Sequence, residues 1–135
     1  MNSQRNPVAD VTSTVLYNLQ HQHDWVSLDV YETTTHRHLI RGLPPRRLYI
    51  HPDDQIAALE REKATGEPLD QTPELEWVLA VHPEEKWTIK GFSSVFDSIE
   101  HKGPREKRLV LATVHNDSTV VYYLMHEGMV KPRQN

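Results

Sequence analysis

The last quarter of the chain, Arg105 to Pro132, constrains the fold most. It holds two apolar runs, Leu109–Val114 and Thr119–Met125, on either side of the polar tetrad His115-Asn116-Asp117-Ser118. Both runs are rich in β-branched, aliphatic or aromatic residues, which suit a pleated surface, and a short polar tetrad between such runs suits a hairpin loop. A central β-hairpin is the reading, and no other part of the chain specifies structure so densely.

The upstream segments supply further elements. Pro7 stands at a first helical position, with Asp10 in the first turn, and Val8, Val11, Val15, Leu16 and Leu19 then share one helical face that ends near His21. Trp25–Tyr31 alternates, with Val26, Leu28 and Val30 on one side, and reads as a half-buried strand. His36–Ile40 is placed to pair with it, and Arg41-Gly42-Leu43-Pro44-Pro45 breaks the pattern. Arg47–His51 reads as a short strand closed by Pro52. From Pro52 to Pro73 the composition is that of an exposed excursion, a loop with some helix between Gln55 and Ala64.

Leu75–His82 is the next strong strand. Thr88 is a fitting N-cap for a helix whose stripe is Ile89, Phe92, Val95, Phe96 and Ile99, with a stop signal at His101, Lys102, Gly103 and Pro104. After the hairpin, Gly128-Met129-Val130 is expected to add a short strand. The sum is an α/β (α+β) chain, a mixed sheet flanked by helices, read as a single domain over residues 1–135 with residues 1–6 flexible.

A chain of 135 residues is long enough for one hydrophobic core, and its long apolar runs argue against disorder although hydrophobic residues make up only 37 %. A net charge of −4 argues against a dedicated nucleic-acid binder, without excluding a subunit that sits beside a basic partner. The absence of cysteine excludes a disulfide scaffold, a thiolate zinc site and a cysteine nucleophile. No apolar stretch is long enough to span a bilayer and the N-terminus lacks a signal-peptide core, so a soluble, unsecreted protein is expected.

Nine histidines invite a search for a metal site. His21-Gln22-His23-Asp24 is one candidate and His36 with His38 another, but neither pair has a third ligand at a defined spacing, so no metal or cofactor is assigned. Asp53-Asp54 reads as a turn and helix N-terminus rather than a metal-binding carboxylate pair. Glu84-Glu85 reads as a solvated loop entering the helix. Lys107 and Arg108, at the entry to the first hairpin strand, are of a type that holds phosphate, but charged residues at a strand entry are common. The residues alone show no active site.

The tail LVLATVHNDSTVVYYLMHEGMVKP adds a resemblance. The run ending in Ala112-Thr113-Val114, the turn Asn116-Asp117-Ser118, the strand Thr119–Tyr123 and the closing Gly128–Pro132 resemble the C-terminal segment of the tRNA-splicing endonuclease family, nearest its small structural subunit in fungi. Glu84–Ile99 and Leu48–Asp54 are similar as well. The resemblance implies a fold like the catalytic domain of tRNA-intron endonucleases. In catalytic members a Tyr base, a His acid and a Lys cleave RNA without metal, through attack of the 2′-OH on the neighbouring phosphate.

By the same resemblance Lys107 stands where the Lys should be, His51 stands in place of the Tyr, with Tyr49 nearby facing oppositely, and no His is found near Glu74–Val78. His51 and Lys107 are then vestiges, and no catalytic residue is expected. The resemblance further implies pairing with a catalytic subunit through C-terminal strands, and an acidic loop that enters a basic pocket on another subunit. The corresponding interface residues are Asp117, Thr119, Val121, Tyr122 and Tyr123. The alternative is that all of these are internal core.

The expectation is a structural subunit of the complex that excises introns from precursor tRNA, touching that RNA indirectly, with a homodimer open to the isolated chain. It would work in the nucleus or, alternatively, at the cytosolic face of mitochondria. Two rivals stand beside it: an active or degenerate ribonuclease using His51, His82 and Lys107, and a strand-pairing adaptor unrelated to RNA.

Overall fold

A computed structural model describes residues 7–33, 37–100 and 105–131. In chain order the elements are α1 (Pro7–Gln22), β1 (Val26–Glu32), β2 (His38–Leu43), α2 (Pro52–Thr65), β3 (Glu76–Val81), α3 (Ile89–Ser98), β4 (Arg108–Val114) and β5 (Val120–His126). The five strands form one sheet in the order β1-β2-β3-β4-β5. β3 and β4 are parallel, joined by the α3 crossover, and every other pair is antiparallel. The mixed sheet with helices is the architecture expected. Its C-terminal hairpin, however, lies at one side of the sheet, with β5 on the edge.

Each sheet face carries its own helix. Val11, Val15 and Leu19 of α1 pack on Ile40, Val78, Ala80, Val110, Ala112 and Val114. Val95 and Phe96 of α3, with Ile99 just beyond it, pack on Leu39, Leu79, Val81 and Leu109. Alternate residues of β3 and β4 therefore enter opposite cores, so both strands read in the sequence as continuous apolar runs rather than as apolar–polar alternation.

α3 starts as expected, with the Thr88 hydroxyl accepting the Gly91 N–H at 3.0 Å. It ends at Ser98, ahead of the expected stop signal, of which His101–Pro104 lies outside the described residues, as do His36 and residues 1–6.

Several local expectations are corrected. β1 is not half-buried on an alternating face: Val26 and Val30 are 56 % and 45 % exposed. A bulge between Val26 and Asp29, with Ser27 at φ 54°, breaks the alternation and bends this edge. β2 runs on through Arg41 to Leu43. Gly42 keeps it in the sheet, because a Cβ there would lie 2.5 Å from Leu28 Cδ2 and 3.1 Å from Trp25 Cε3.

Arg47–Ile50 joins no ladder; it is irregular chain that leads from Pro44-Pro45 to α2. The excursion from Pro52 is more ordered than its composition suggests, a 14-residue helix closed by Gly66 at φ 76°. The final Gly128-Met129 forms a 3₁₀ turn (Glu127–Met129), not a strand, while Val130 seals the α3 core.

Glu85 is not simply solvated. Arg37, nearly buried, grips both of its carboxylate oxygens at 2.5 and 3.0 Å, donates to the Ala80 carbonyl and lies over Trp87. Glu85 also accepts the His82 N–H at 2.7 Å. One ion pair thus ties the β1–β2 connection to the β3–α3 loop. The residues that make it are 48 positions apart, which is why their pairing is invisible in the sequence.

Candidate functional site: the hairpin edge and the strand entry beneath it

The hairpin presents four surfaces: a turn, an outer edge and two faces. In the turn, Ser118 adopts φ 68° and donates its N–H to the His115 carbonyl at 2.9 Å, while the His115 N–H bonds to the Thr119 carbonyl at 2.9 Å. One Asp117 carboxylate oxygen accepts the Thr119 N–H at 3.0 Å. The Thr119 side chain first, and then that backbone bond, hold its carboxyl below the usual carboxylate value, with a smaller pull from His115. Asp117 and Thr119 are both exposed, and Asp117 stays ionised at the tip.

The two tyrosines part company. Cross-strand pairing of Ala112 with Tyr122 and Leu111 with Tyr123 assigns them to opposite faces. Tyr122 turns to α1, where its hydroxyl donates to Asn18 Oδ1 at 2.6 Å and its ring meets His23 edge-on. Burial pushes its pKa up to about 12. Tyr123 is 56 % exposed on the α3 side, in phase with Val121 and Met125. Of the five interface candidates, Asp117, Thr119, Val121 and Tyr123 are thus presented outward or across the edge, and Tyr122 is turned to the core.

No residue of β5 is fully buried, whereas Leu109, Val110, Ala112 and Val114 of β4 are. β5 has apolar residues on both faces and, among the described residues, no strand beside its outer edge. The opposite sheet edge differs: β1 is bulged and carries Asp29 and Glu32, two devices that discourage pairing. β5 has neither a proline nor a formally charged residue.

At the strand entry below lie Lys107 and, across an ion pair from the chain leading into it, the start of α2 with His51. Arg105 bonds Asp54 at 2.8 Å, linking the start of α2 to the chain leading into β4. His51 is the N-cap of α2, its Nδ1 accepting the Asp53 N–H at 3.1 Å. Lys107 Nζ donates to the Phe96 carbonyl at 2.9 Å, a cation at the C-terminus of α3. Its neighbour Arg108 points the other way, clamped by Glu76 at 2.7 and 3.1 Å and by Glu74 at 2.9 Å. Burial raises the Glu76 carboxyl while Arg108 pulls it back.

Sequence reasoning missed what faces Arg108. Tyr49 lies beneath its guanidinium at 5.5 Å and packs against His126, with ring centroids 4.8 Å apart, and His126 Nδ1 is 3.7 Å from Glu106. One signal was available. A hairpin centred on Asp117 sets residue 126 opposite residue 108, and the ladder pairs them. Tyr49 was beyond reach, since Arg47–Ile50 belongs to no strand.

His82 sits elsewhere. The parallel register Val78↔Val110 to Val81↔Thr113 puts it level with Val114, seven residues from Lys107. At ~3.3 Å per residue that is about 23 Å along the sheet. His51, His82 and Lys107 do not meet around one phosphate. No group of three or more His, Asp or Glu among the described residues is arranged to hold a metal, and no helix among them is long and apolar enough to cross a membrane.

Comparison with known proteins identifies the family. Residues 14–135 match the model of a family described as Sen15 protein. A probable tRNA-splicing endonuclease subunit, tsp-1 of Neurospora crassa, is 46 % identical over 93 % of this chain and 66 % of its own length. The probable subunit sen15 of Schizosaccharomyces pombe is 29 % identical over 97 % of this chain and 87 % of its own. The SEN15 subunit of Eremothecium gossypii is 28 % identical over 93 % and 91 %. With a family match that takes in the sheet, α3, the second half of α1 and the whole hairpin, the chain belongs to the Sen15 protein family.

Proposed function

We propose that this chain is a non-catalytic structural subunit of a tRNA-splicing endonuclease, paired with a catalytic subunit along the free edge of β5. The difference between the two sheet edges carries the reading: β1 is bulged and acidic, while β5 is a regular seven-residue strand with no fully buried residue. Strand addition to such an edge draws affinity from main-chain bonds and specificity from alternate side chains, here Val121, Tyr123 and Met125. The ionised Asp117 tip is offered to a basic surface on a further subunit, and contact with precursor tRNA is indirect. The nucleus is the compartment that goes with this role.

Support for a silent active site comes from the occupations of its remnants. Lys107 is engaged at a helix end, His51 caps α2, and the Arg108 charge is answered by two carboxylates. None is left as a free acid, base or phosphate clamp. Purified chain incubated with intron-containing precursor tRNA is expected to leave it intact. Robust cleavage that Lys107→Ala abolishes would refute the reading.

A further inference from the structure

The tip of the hairpin is not held by the hairpin alone. His82, at the end of β3, reaches across to it: His82 Nε2 lies 3.1 Å from Asn116 Oδ1. The direction of that bond follows from the other ring nitrogen. Nδ1 accepts the Glu84 N–H at 3.1 Å, so it carries no proton; Nε2 carries it and donates to Asn116. The backbone of His82 is fixed in turn, its N–H bonded to Glu85, which Arg37 grips from the β1–β2 connection. Arg37, Glu85, His82 and Asn116 form a continuous chain from the packed interior to the residue immediately before Asp117.

We propose that His82 is a positioning residue for subunit docking. It anchors Asn116 so that the Asp117 carboxylate is held at a fixed place and angle before a basic partner arrives. The inference rests on the proposed function and extends it to a residue on another element. Its physical basis is the cost of ordering a loop on binding. Hairpin turns project into solvent, and an interface that must first order its tip loses affinity. Within the turn, the Thr119 N–H uses one oxygen of Asp117, and the His82 tether restrains the preceding residue. Asp117 is exposed at the tip, so its carboxylate stays open to the partner.

The tether is specific in kind. It requires a donor at the Nε2 position of residue 82 and an acceptor on residue 116. Glutamine at 82 supplies an amide N–H near the Nε2 position, and aspartate at 116 supplies an acceptor. His82→Gln and Asn116→Asp are therefore expected to retain docking, whereas His82→Ala and Asn116→Ala are expected to weaken it. Freeing one or two side chains at a docking tip lowers affinity by about three- to tenfold.

The test uses the endonuclease reconstituted from this chain, its catalytic partner and the remaining subunits. This chain, full length and bound to its catalytic partner, is titrated against the remaining subunits, and the dissociation constant between the two halves of the assembly is measured by calorimetry. Asn116→Ala and His82→Ala should each raise it by about three- to tenfold, His82→Gln should leave it near the parent value, Asn116→Asp, which adds a carboxylate facing the basic partner, should not raise it, and amide exchange at Ser118 and Thr119 should quicken only in the alanine variants. Pairing with the catalytic subunit through β5 should be unchanged throughout. Asn116→Ala guards against loss of the fold, because Asn116 is exposed in a loop.

If Asp117→Ala leaves the association of the halves intact, the assignment of the tip as a docking element fails. If Asp117→Ala weakens it while both alanine variants at 82 and 116 do not, the positioning role alone fails. If these variants weaken β5 pairing as much as docking of the halves, the bridge serves general stability and the inference is overturned.

Discussion

Replacing Glu85 with alanine should destabilise the chain more than its place in a short surface loop suggests. The partner left behind, Arg37, has a side chain only 10 % exposed, against 26 % for Glu85. Alanine removes both bonds to the guanidinium and the acceptor for the His82 N–H, leaving Arg37 only the Ala80 carbonyl and the Trp87 face. Breaking a fully buried pair costs about 3–5 kcal/mol, and the partial exposure of Glu85 lowers that to about 2–3 kcal/mol. For a domain of this size the fall in Tm is roughly 6–15 °C.

The pH profile gives an independent check. Burial on its own raises the Glu85 carboxyl, but Arg37 and the His82 N–H outweigh it and hold the pKa below the ordinary value. The folded pKa is depressed, so the stabilisation is complete above the ordinary carboxylate pKa and is lost as pH falls through the depressed value. Urea unfolding of the parent, Glu85→Ala and Glu85→Gln from pH 3 to pH 7 should show both variants losing part of the parent's acid slope. A Glu85→Ala chain within about 0.5 kcal/mol of the parent, the range of ordinary surface substitutions, would refute the reasoning, as would an unchanged slope.

Other substitutions probe separate parts of the account. Gly42→Ala should cost about 1–3 kcal/mol by chemical denaturation, because its Cβ would press on Leu28 and Trp25. Ser118→Gly, relieving φ 68° in the turn, should gain up to about 1 kcal/mol in the same assay. Tyr122→Phe loses the bond to Asn18, about 1 kcal/mol. In an ultraviolet titration it should also remove a phenol that ionises near pH 12. Since burial raises that pKa, the contribution of Tyr122 is complete below the ordinary tyrosine value and is lost as pH rises through about 12. Lys107→Ala should lower stability by about 0.5–1 kcal/mol through loss of the helix-end cation, and leave cleavage by the assembled endonuclease unchanged.

The sequence exposed most of what is local and periodic. The stripes of α1 and α3, the Thr88 cap, β3 and the hairpin all rest on short-range patterns that survive in the structure. Failures came where a distant partner decides the outcome. β1 reads as a half-buried strand until the bulge at Ser27 breaks its alternation. Gly42 looks like a break, yet its missing side chain lets Trp25 and Leu28 close over β2. Arg47–Ile50 has strand composition, but no neighbouring strand takes it as a partner.

The candidate site divides the same way. Asp117 at a tip and the apolar residues of β5 were legible. The opposite facing of Tyr122 and Tyr123 follows from strand geometry, but which of them meets α1 required the sheet to be assembled. Lys107 and Arg108 stand together in the sequence and are separated by the strand. One meets the carbonyl end of α3 and the other a pair of glutamates, and neither partner is within ten residues.

The central claim is that β5, and not β1, is the edge that receives the catalytic subunit. Hydrogen–deuterium exchange of the chain, alone and co-purified with that subunit, reads it directly. The account predicts strong protection of the peptide covering Val120–His126 in the complex and unchanged exchange over Val26–Glu32. Protection confined to β1, or a complex that forms with β5 exchanging as in the free chain, would contradict it.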